Sequence, residues 1–285
     1  MTMKTGKVYV IAEIGINHNG DLERAKKLIV GAKNAGADAV KFQKRTVSVV
    51  YTKQELDRFR DSPFGVTNGA LKYGLEFGRK EYDAIDDYCK ELNIDWFASP
   101  WDEDSVDFLV SYNPPYLKVA SACLTDAGLL SAMSESSIPL LVSTGMADLE
   151  TIRRAVSHIS SEAGHIACLY HCTSTYPAKA CHLNLKGILT LRDEFPSIPI
   201  GYSGHEMAVH TSAATVLYDV ASVERHITLS KADWGSDQAA SLDISGFTRL
   251  VRDIRILEEA KGDGHIVVYP DEVPIADKLR RKNTL

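Results

Sequence analysis

Short apolar and β-branched runs alternate with longer stretches of helical spacing along most of the chain, a rhythm that predicts a repeated strand–helix unit. Residues 8–14 are apolar with little polar alternation, as a strand buried on both faces requires. Residues 21–34 follow with Leu22, Ala25, Leu28, Ile29 and Ala32 on one helical face, and Gly36 stands where a helix stop is expected. The same reading predicts further strands at 39–43, 95–98, 116–120, 140–143, 165–170, 199–202 and 222–227. Helices are predicted between and after them, at 79–92, 103–111, 126–134, 148–158, 185–194, 210–218 and 242–259. Eight such units in about 260 residues, with no linker between them, predict an α/β fold of the (β/α)8 TIM-barrel type; a doubly wound open sheet is the second choice. Residues 1–285 then make a single barrel domain, with 262–285 as a linker-like tail. Residues 46–78, with Pro63, Gly65, Asn68 and Gly74, are the one long irregular stretch, and a long loop after a barrel strand is expected to border the active site or cover it.

Composition narrows the classes. A hydrophobic fraction of 45% and a charged fraction of 25% are ordinary for a globular protein. The formal net charge of −6 speaks against a nucleic-acid or anionic-membrane partner without excluding a local basic pocket. No apolar run reaches the length of a membrane span, and residues 1–7 carry no signal-peptide pattern, so a cytoplasmic location is expected. The five cysteines follow neither a zinc nor a disulfide spacing and read as reduced thiols.

Polar residues then fall in a telling place. In a barrel the C-terminal strand ends build the active site, and each predicted strand delivers polar side chains there. They are Glu13, Lys41 with Gln43, Ser99, Lys118 with Ser121, Ser143, the run from His171 to Pro177, Ser203 with His205, and Glu224 to His226. Two lysines inside otherwise apolar strands are costly to bury without anionic partners. Lys41 and Lys118, with the hydroxyls of Ser99, Ser121, Ser143 and Ser203, make a receptor for phosphate and carboxylate; lysines that merely reach the rim are the plainer reading. His205 and His226 end adjacent strands, and barrel closure brings Glu13 beside them, a set suited to a divalent metal. His18 competes as a ligand, and His171 is an equal candidate for a packed structural role. Cys168 and Cys172 share a strand face and read as core.

The segments IAEIGINHNGDLERAKKLI, AGADAVKFQK, ASPWD, YLKVAS, LVSTGM, YHCTSTYP, GYSGHE, VERHITL and the following GSD, spread over residues 11–237, resemble the N-acetylneuraminate (sialic acid) synthase family. The resemblance implies condensation of phosphoenolpyruvate with an open-chain sugar aldehyde, such as N-acetylmannosamine or a related hexose, to a 2-keto-3-deoxy acid of the nonulosonic type. It places Glu13 by the aldehyde, positioning or activating water or moving the aldehyde proton. It gives phosphoenolpyruvate to Lys41, Ser99, Lys118, Ser121, Ser143, Ser203 and Ser174, the last at a position where the family commonly has Asn. It gives a manganese or magnesium ion to His205 and His226, and the sugar to Gln43, Tyr176 and Asp237. Glu13, Lys41, Lys118 and His226 are the expected catalytic set, and a homodimer is the expected assembly. Two departures fall on the sugar side: Cys123 stands where the family pattern K-x-x-S-G-E has its Glu, and the sequence ends where typical members continue into an antifreeze-like domain. Three rival readings remain. They are a 3-deoxy-octulosonate-phosphate type of synthase, with Arg45, Lys44 or Arg79 holding a second phosphate; an imine-forming aldolase on Lys118 or Lys41; and a barrel that binds ligand without catalysis.

Overall fold

In the computed structural model, which describes residues 6–281, eight parallel strands close into a barrel. The strands are β1 (Tyr9–Gly15), β2 (Ala39–Lys44), β3 (Asp95–Pro100), β4 (Leu117–Val119), β5 (Leu140–Ser143), β6 (Ile166–Cys172), β7 (Ile200–Gly204) and β8 (Ser222–Thr228). Each pairs with the next, and β8 returns to β1 with Glu13 opposite His226, so no edge is left open. The open sheet is thereby excluded. The helices are α1 (Leu22–Ala35), α2 (Arg79–Leu92), α3 (Glu103–Val110), α4 (Ala127–Glu135), α5 (Leu149–Ser161), α6 (Gly187–Glu194), α7 (Val209–Ala214) and α8 (Ile244–Ala260).

Local chemistry sets the helix ends. Asp21 caps α1 by accepting from the backbone N–H groups of Glu23 and Arg24, and Gly36 closes it with φ 89°. Asp102, Asp126, Asp148 and Asp243 cap α3, α4, α5 and α8 through their side chains in the same way. Each of these aspartates follows a strand end, so a short polar residue both finishes the loop and starts the helix.

Both faces of every strand are buried, which is why the sequence shows runs rather than alternation. The alternation exists in the geometry. Val10, Ala12 and Ile14 of β1 face the helices in the main core, while Ile11 faces the barrel interior. Phe97, Tyr116, Leu141, Cys168 and Tyr170 join Ile11 in that interior layer. Two residues further along each strand, the inward position becomes polar: Glu13 after Ile11, Ser99 after Phe97, Lys118 after Tyr116 and Ser143 after Leu141. The barrel is a plugged cup, apolar below and charged at its mouth.

The stretch 46–78 is more ordered than the sequence reading expected. It folds into short helices Val47–Val50, Lys53–Leu56 and Asn68–Leu75 around an antiparallel hairpin, Phe59–Ser62 with Gly65–Thr67. The signal overlooked was a capping box, Thr52 with Glu55. The segment lies across the mouth side: Lys44 pairs with Glu76 at 2.7 Å, Thr46 N–H donates to Asp102, and Phe64 meets Trp234 of the loop after β8 edge to face. Gly20 makes this packing close, because a Cβ there would lie 2.1 Å from the Gly74 carbonyl oxygen and its φ is +72°. Beyond α8 the expected tail forms a turn, Pro270–Glu272, and a short helix, Val273–Leu279, both exposed; residues 282–285 of that tail lie outside the described residues. Among the described residues no helix is long and apolar enough to cross a membrane.

Candidate active site

At the C-terminal ends of the strands a cavity of about 220 Å³ opens, lined on the barrel side by Glu13, Lys41, Lys118 and Glu224 and on the rim by Trp101, Met146 and Tyr176. A larger hollow of about 470 Å³ lies at the opposite end, against Val8, His165, Asp219 and Lys261. There Lys261 pairs with Asp219 at 2.5 Å and Glu258 accepts from the Val8 N–H, and that end of a barrel serves stability. The smaller cavity, at the strand ends where a barrel carries its active site, is the candidate.

Its centre is a row of alternating charges. Lys41 Nζ lies 2.5 Å from Glu13 and 3.7 Å from Glu224, and Lys118 Nζ lies 3.3 Å from the same Glu224 oxygen. Ser203 donates to that oxygen at 3.0 Å, Ser99 takes a hydrogen bond from Lys41 at 3.3 Å, and Ser143 takes one from Lys118 at 2.5 Å. Lys118 also stands 4.8 Å above the Tyr170 ring. All four charged groups are buried. Burial pushes Glu13 above the usual carboxylate range, and Lys41 relieves this only in part. Burial acts on Glu224 as well, but two ammonium groups overcome it and hold the carboxyl low. Burial depresses Lys118, whereas Lys41, facing two carboxylates, is raised against its own desolvation. Two cations thus share one firmly ionised carboxylate, and an arriving phosphate or carboxylate finds positive charge held in a dry site.

A second cluster lies beside it. Ser121 Oγ accepts from the Gly145 N–H at 3.1 Å and touches Cys172 Sγ at 3.3 Å. Ser174 Oγ is buried without a hydrogen-bond partner. Only glycine fits at position 145, since a Cβ there would lie 2.2 Å from Ser174 Oγ. The result is a small nest of hydroxyls open to an acceptor.

The imidazoles of His205 and His226 have ring centroids 5.7 Å apart, with Tyr176 packed at 4.3 Å and 5.9 Å from them. His205 Nδ1 is bonded to the Thr173 carbonyl at 2.8 Å, leaving Nε2 for a ligand. His226 Nδ1 is buried and has no partner. Burial lowers both, His205 to about 4, so both rings are neutral and their nitrogens are available. These two residues fit a divalent metal as ligands. The third protein ligand expected from Glu13 does not join them: that carboxylate is paired with Lys41, and among the described residues no three His, Cys, Asp or Glu side chains gather as a metal set.

The other predicted residues take these places. His18 is not in the cavity wall; it stacks on Phe77 at 3.9 Å, its Nδ1 accepts from Gly20 N–H at 3.1 Å, and burial lowers it to about 3. His171 is bonded to the Leu183 carbonyl at 2.8 Å and is structural. Asp237, on the loop after β8 and bonded by Ser236 at 2.7 Å, is near enough for its charge to act on both His226 and Tyr176. Lys44 is spent on Glu76, and Arg79 lies over Phe108 and Tyr112 on the helical layer, so neither supplies a second phosphate pocket. Glu224 is the strand-end residue to which the sequence reading gave no role. It was visible as a carboxylate two positions before His226, hence on the same strand face, and two buried lysines already demanded an anion.

Comparison with known proteins identifies the family. A family model described as the NeuB family matches residues 28–266. An N-acetylneuraminate-9-phosphate synthase of Drosophila melanogaster is 42% identical over 238 residues, 83% of this chain, and the match spans 64% of that protein's length. An N,N'-diacetyllegionaminic acid synthase of Legionella pneumophila is 35% identical over 97% of this chain and 80% of its own. The crystal structure of an N-acetylneuraminic acid synthetase from Leptospira borgpetersenii superposes with a TM-score of 0.83 at 28% identity, covering 97% of this chain and 93% of that one. By the family match over most of its length and by these relatives, the chain belongs to the NeuB family.

Proposed function

We propose that this protein condenses phosphoenolpyruvate with the aldehyde of an open-chain sugar, giving a 2-keto-3-deoxy acid of the nonulosonic type and inorganic phosphate. The observation that carries the reading is the pair of buried lysines, 41 and 118, held on one shared carboxylate at the mouth of the barrel. The named activities of its relatives, synthases of sialic and legionaminic acids, support the product class.

Lys118 and Lys41, with Ser99, Ser143 and Ser203, take the phosphate and carboxylate of the donor. Ser121, Ser174 and the Gly145 turn complete the receptor. Neutralising both anions and fixing the donor lets its C3 approach the aldehyde carbon. The new C–C bond leaves positive character at C2. Water adds there, and the tetrahedral centre expels phosphate as its C–O bond breaks. Glu13, raised by burial into the range where a carboxyl exchanges protons near neutral pH, moves the proton between that water and the nascent alkoxide. Gln43 and Tyr176, on the rim side, hold the sugar. His205 and His226 would hold a manganese or magnesium ion, which supplies Lewis-acid polarisation of the aldehyde oxygen when bound.

The test is phosphate release from phosphoenolpyruvate with manganese and a panel of sugars: N-acetylmannosamine, diacetamido hexoses, plain hexoses, and their phosphorylated forms. Sugar-dependent release is expected. Donor binding without release from any sugar would leave only a binding barrel. A second reading, an imine-forming aldolase, draws on the depressed ammonium of Lys118. Borohydride trapping with pyruvate would label the protein in that case and leave it unmodified in the first.

A further inference from the structure

Arg45 stands two residues beyond Gln43, just past the end of β2, with its guanidinium carbon 4.1 Å over the Trp101 ring. It donates from Nη2 to Gln43 Oε1, and Gln43 Nε2 donates to Glu13 Oε1 at 3.0 Å. Glu13 in turn pairs with Lys41. A chain of contacts therefore runs from the rim to the reacting centre: Trp101, Arg45, Gln43, Glu13, Lys41.

The chemistry of the two ends permits one arrangement of the amide between them. An arginine offers only donors and a carboxylate only acceptors. The Gln43 amide can satisfy both only with its oxygen toward Arg45 and its nitrogen toward Glu13. Without Arg45, the oxygen loses its partner and only the Glu13 contact orients the amide. Held at one end instead of two, the Gln43 side chain can leave its rotamer, and Glu13 then loses its donor and its fixed position.

Resting on the function proposed above, we infer that Arg45 is a positioning residue for the condensation: acting through the Gln43 amide, it holds Glu13 in its working place and leaves Gln43 presenting only N–H to the sugar. Arg45 touches neither reactant in this role. The guanidinium reaches Gln43 through Nη2 and lies on the indole face.

A double-mutant cycle tests it. Arg45→Met keeps the stem against Trp101 and removes the donors; Gln43→Leu breaks the relay; Arg45→Lys restores a donor. Thermal unfolding first confirms that each variant is folded. With the sugar that supports turnover in the wild type, Arg45→Met is expected to lower kcat about tenfold or more, as a misplaced catalytic group does. The donor KM should stay within about twofold, and Arg45→Lys should recover most of the rate. In the Gln43→Leu background, Arg45→Met should cost nothing further. Independent, additive losses would overturn the inference, and so would an Arg45→Met enzyme with unchanged kcat and a raised sugar KM, because Arg45 would then bind the sugar itself. Should the wild type turn over no sugar at all, the function proposed above fails. The crystal structure of Arg45→Met then decides the positioning alone: a Gln43 amide still bonded to Glu13 overturns it, and one that has left Glu13 supports it.

Discussion

Glu224→Gln isolates the shared counter-ion of the site. The substitution keeps the shape and one oxygen acceptor but removes the charge that two buried ammonium groups face at 3.3 Å and 3.7 Å. Removing one partner of a buried ion pair costs about 3–5 kcal/mol. The retained oxygen still serves Lys118 and Ser203, which puts the expected loss at the low end, about 3 kcal/mol. At about 2 °C per kcal/mol for a chain of this size, the melting temperature should fall by about 6 °C. The same change removes a negative charge from a receptor for anions, so phosphoenolpyruvate should bind the variant more tightly. At a concentration a hundredfold above its Kd the ligand adds about 2.7 kcal/mol, enough to restore most of the loss. Scanning fluorimetry with and without the donor reads both effects. A variant that melts within a degree of the wild type, with an unchanged response to the donor, would show that Glu224 does not hold the two lysines, and the electrostatic account of the cavity would fall with it.

Three further outcomes are expected. Lys118→Ala should raise the KM for phosphoenolpyruvate and lower kcat, by about a hundredfold or more together, since it deletes a charge-assisted contact and frees Glu224; wild-type kinetics in that variant would remove the donor assignment. A chelator should abolish phosphate release and manganese should restore it, while His205→Ala should abolish the restoration; metal content by elemental analysis checks the ligand separately from the rate. His18, lowered to about 3 by burial, stays neutral in the folded state while the unfolded residue takes a proton near pH 6.5. Its contribution is complete above pH 6.5 and lost as pH falls toward 3, so His18→Gln should flatten the acid limb of denaturant-derived stability by up to one proton, about 1.4 kcal/mol per pH unit. An unchanged slope would place His18 elsewhere.

Much of the site was legible because a barrel converts sequence position into spatial position. A polar residue two places after an inward apolar one must sit at the mouth, and Glu13, Lys41, Ser99, Lys118, Ser143, Ser203, His205 and His226 all line one cavity on that account. The helix starts were equally readable, because Asp21, Asp102, Asp126, Asp148 and Asp243 cap with their own side chains. These are local properties: period, propensity and capping act over a few residues, and the amino-acid order determines them by itself. Pairing is different. Glu224 and Lys118 are more than a hundred residues apart, and nothing in either strand says which anion neutralises which cation. His18 and His226 are both histidines near strand ends, yet Phe77 claims the first and the cavity takes the second. The segment 46–78 acquires its place from Lys44, Asp102 and Trp234, which meet its Glu76, Thr46 and Phe64 only once the barrel has closed. Partners chosen across the barrel depend on closure and register, and these belong to the tertiary structure, because only there do side chains distant in sequence compete for the same few ångströms.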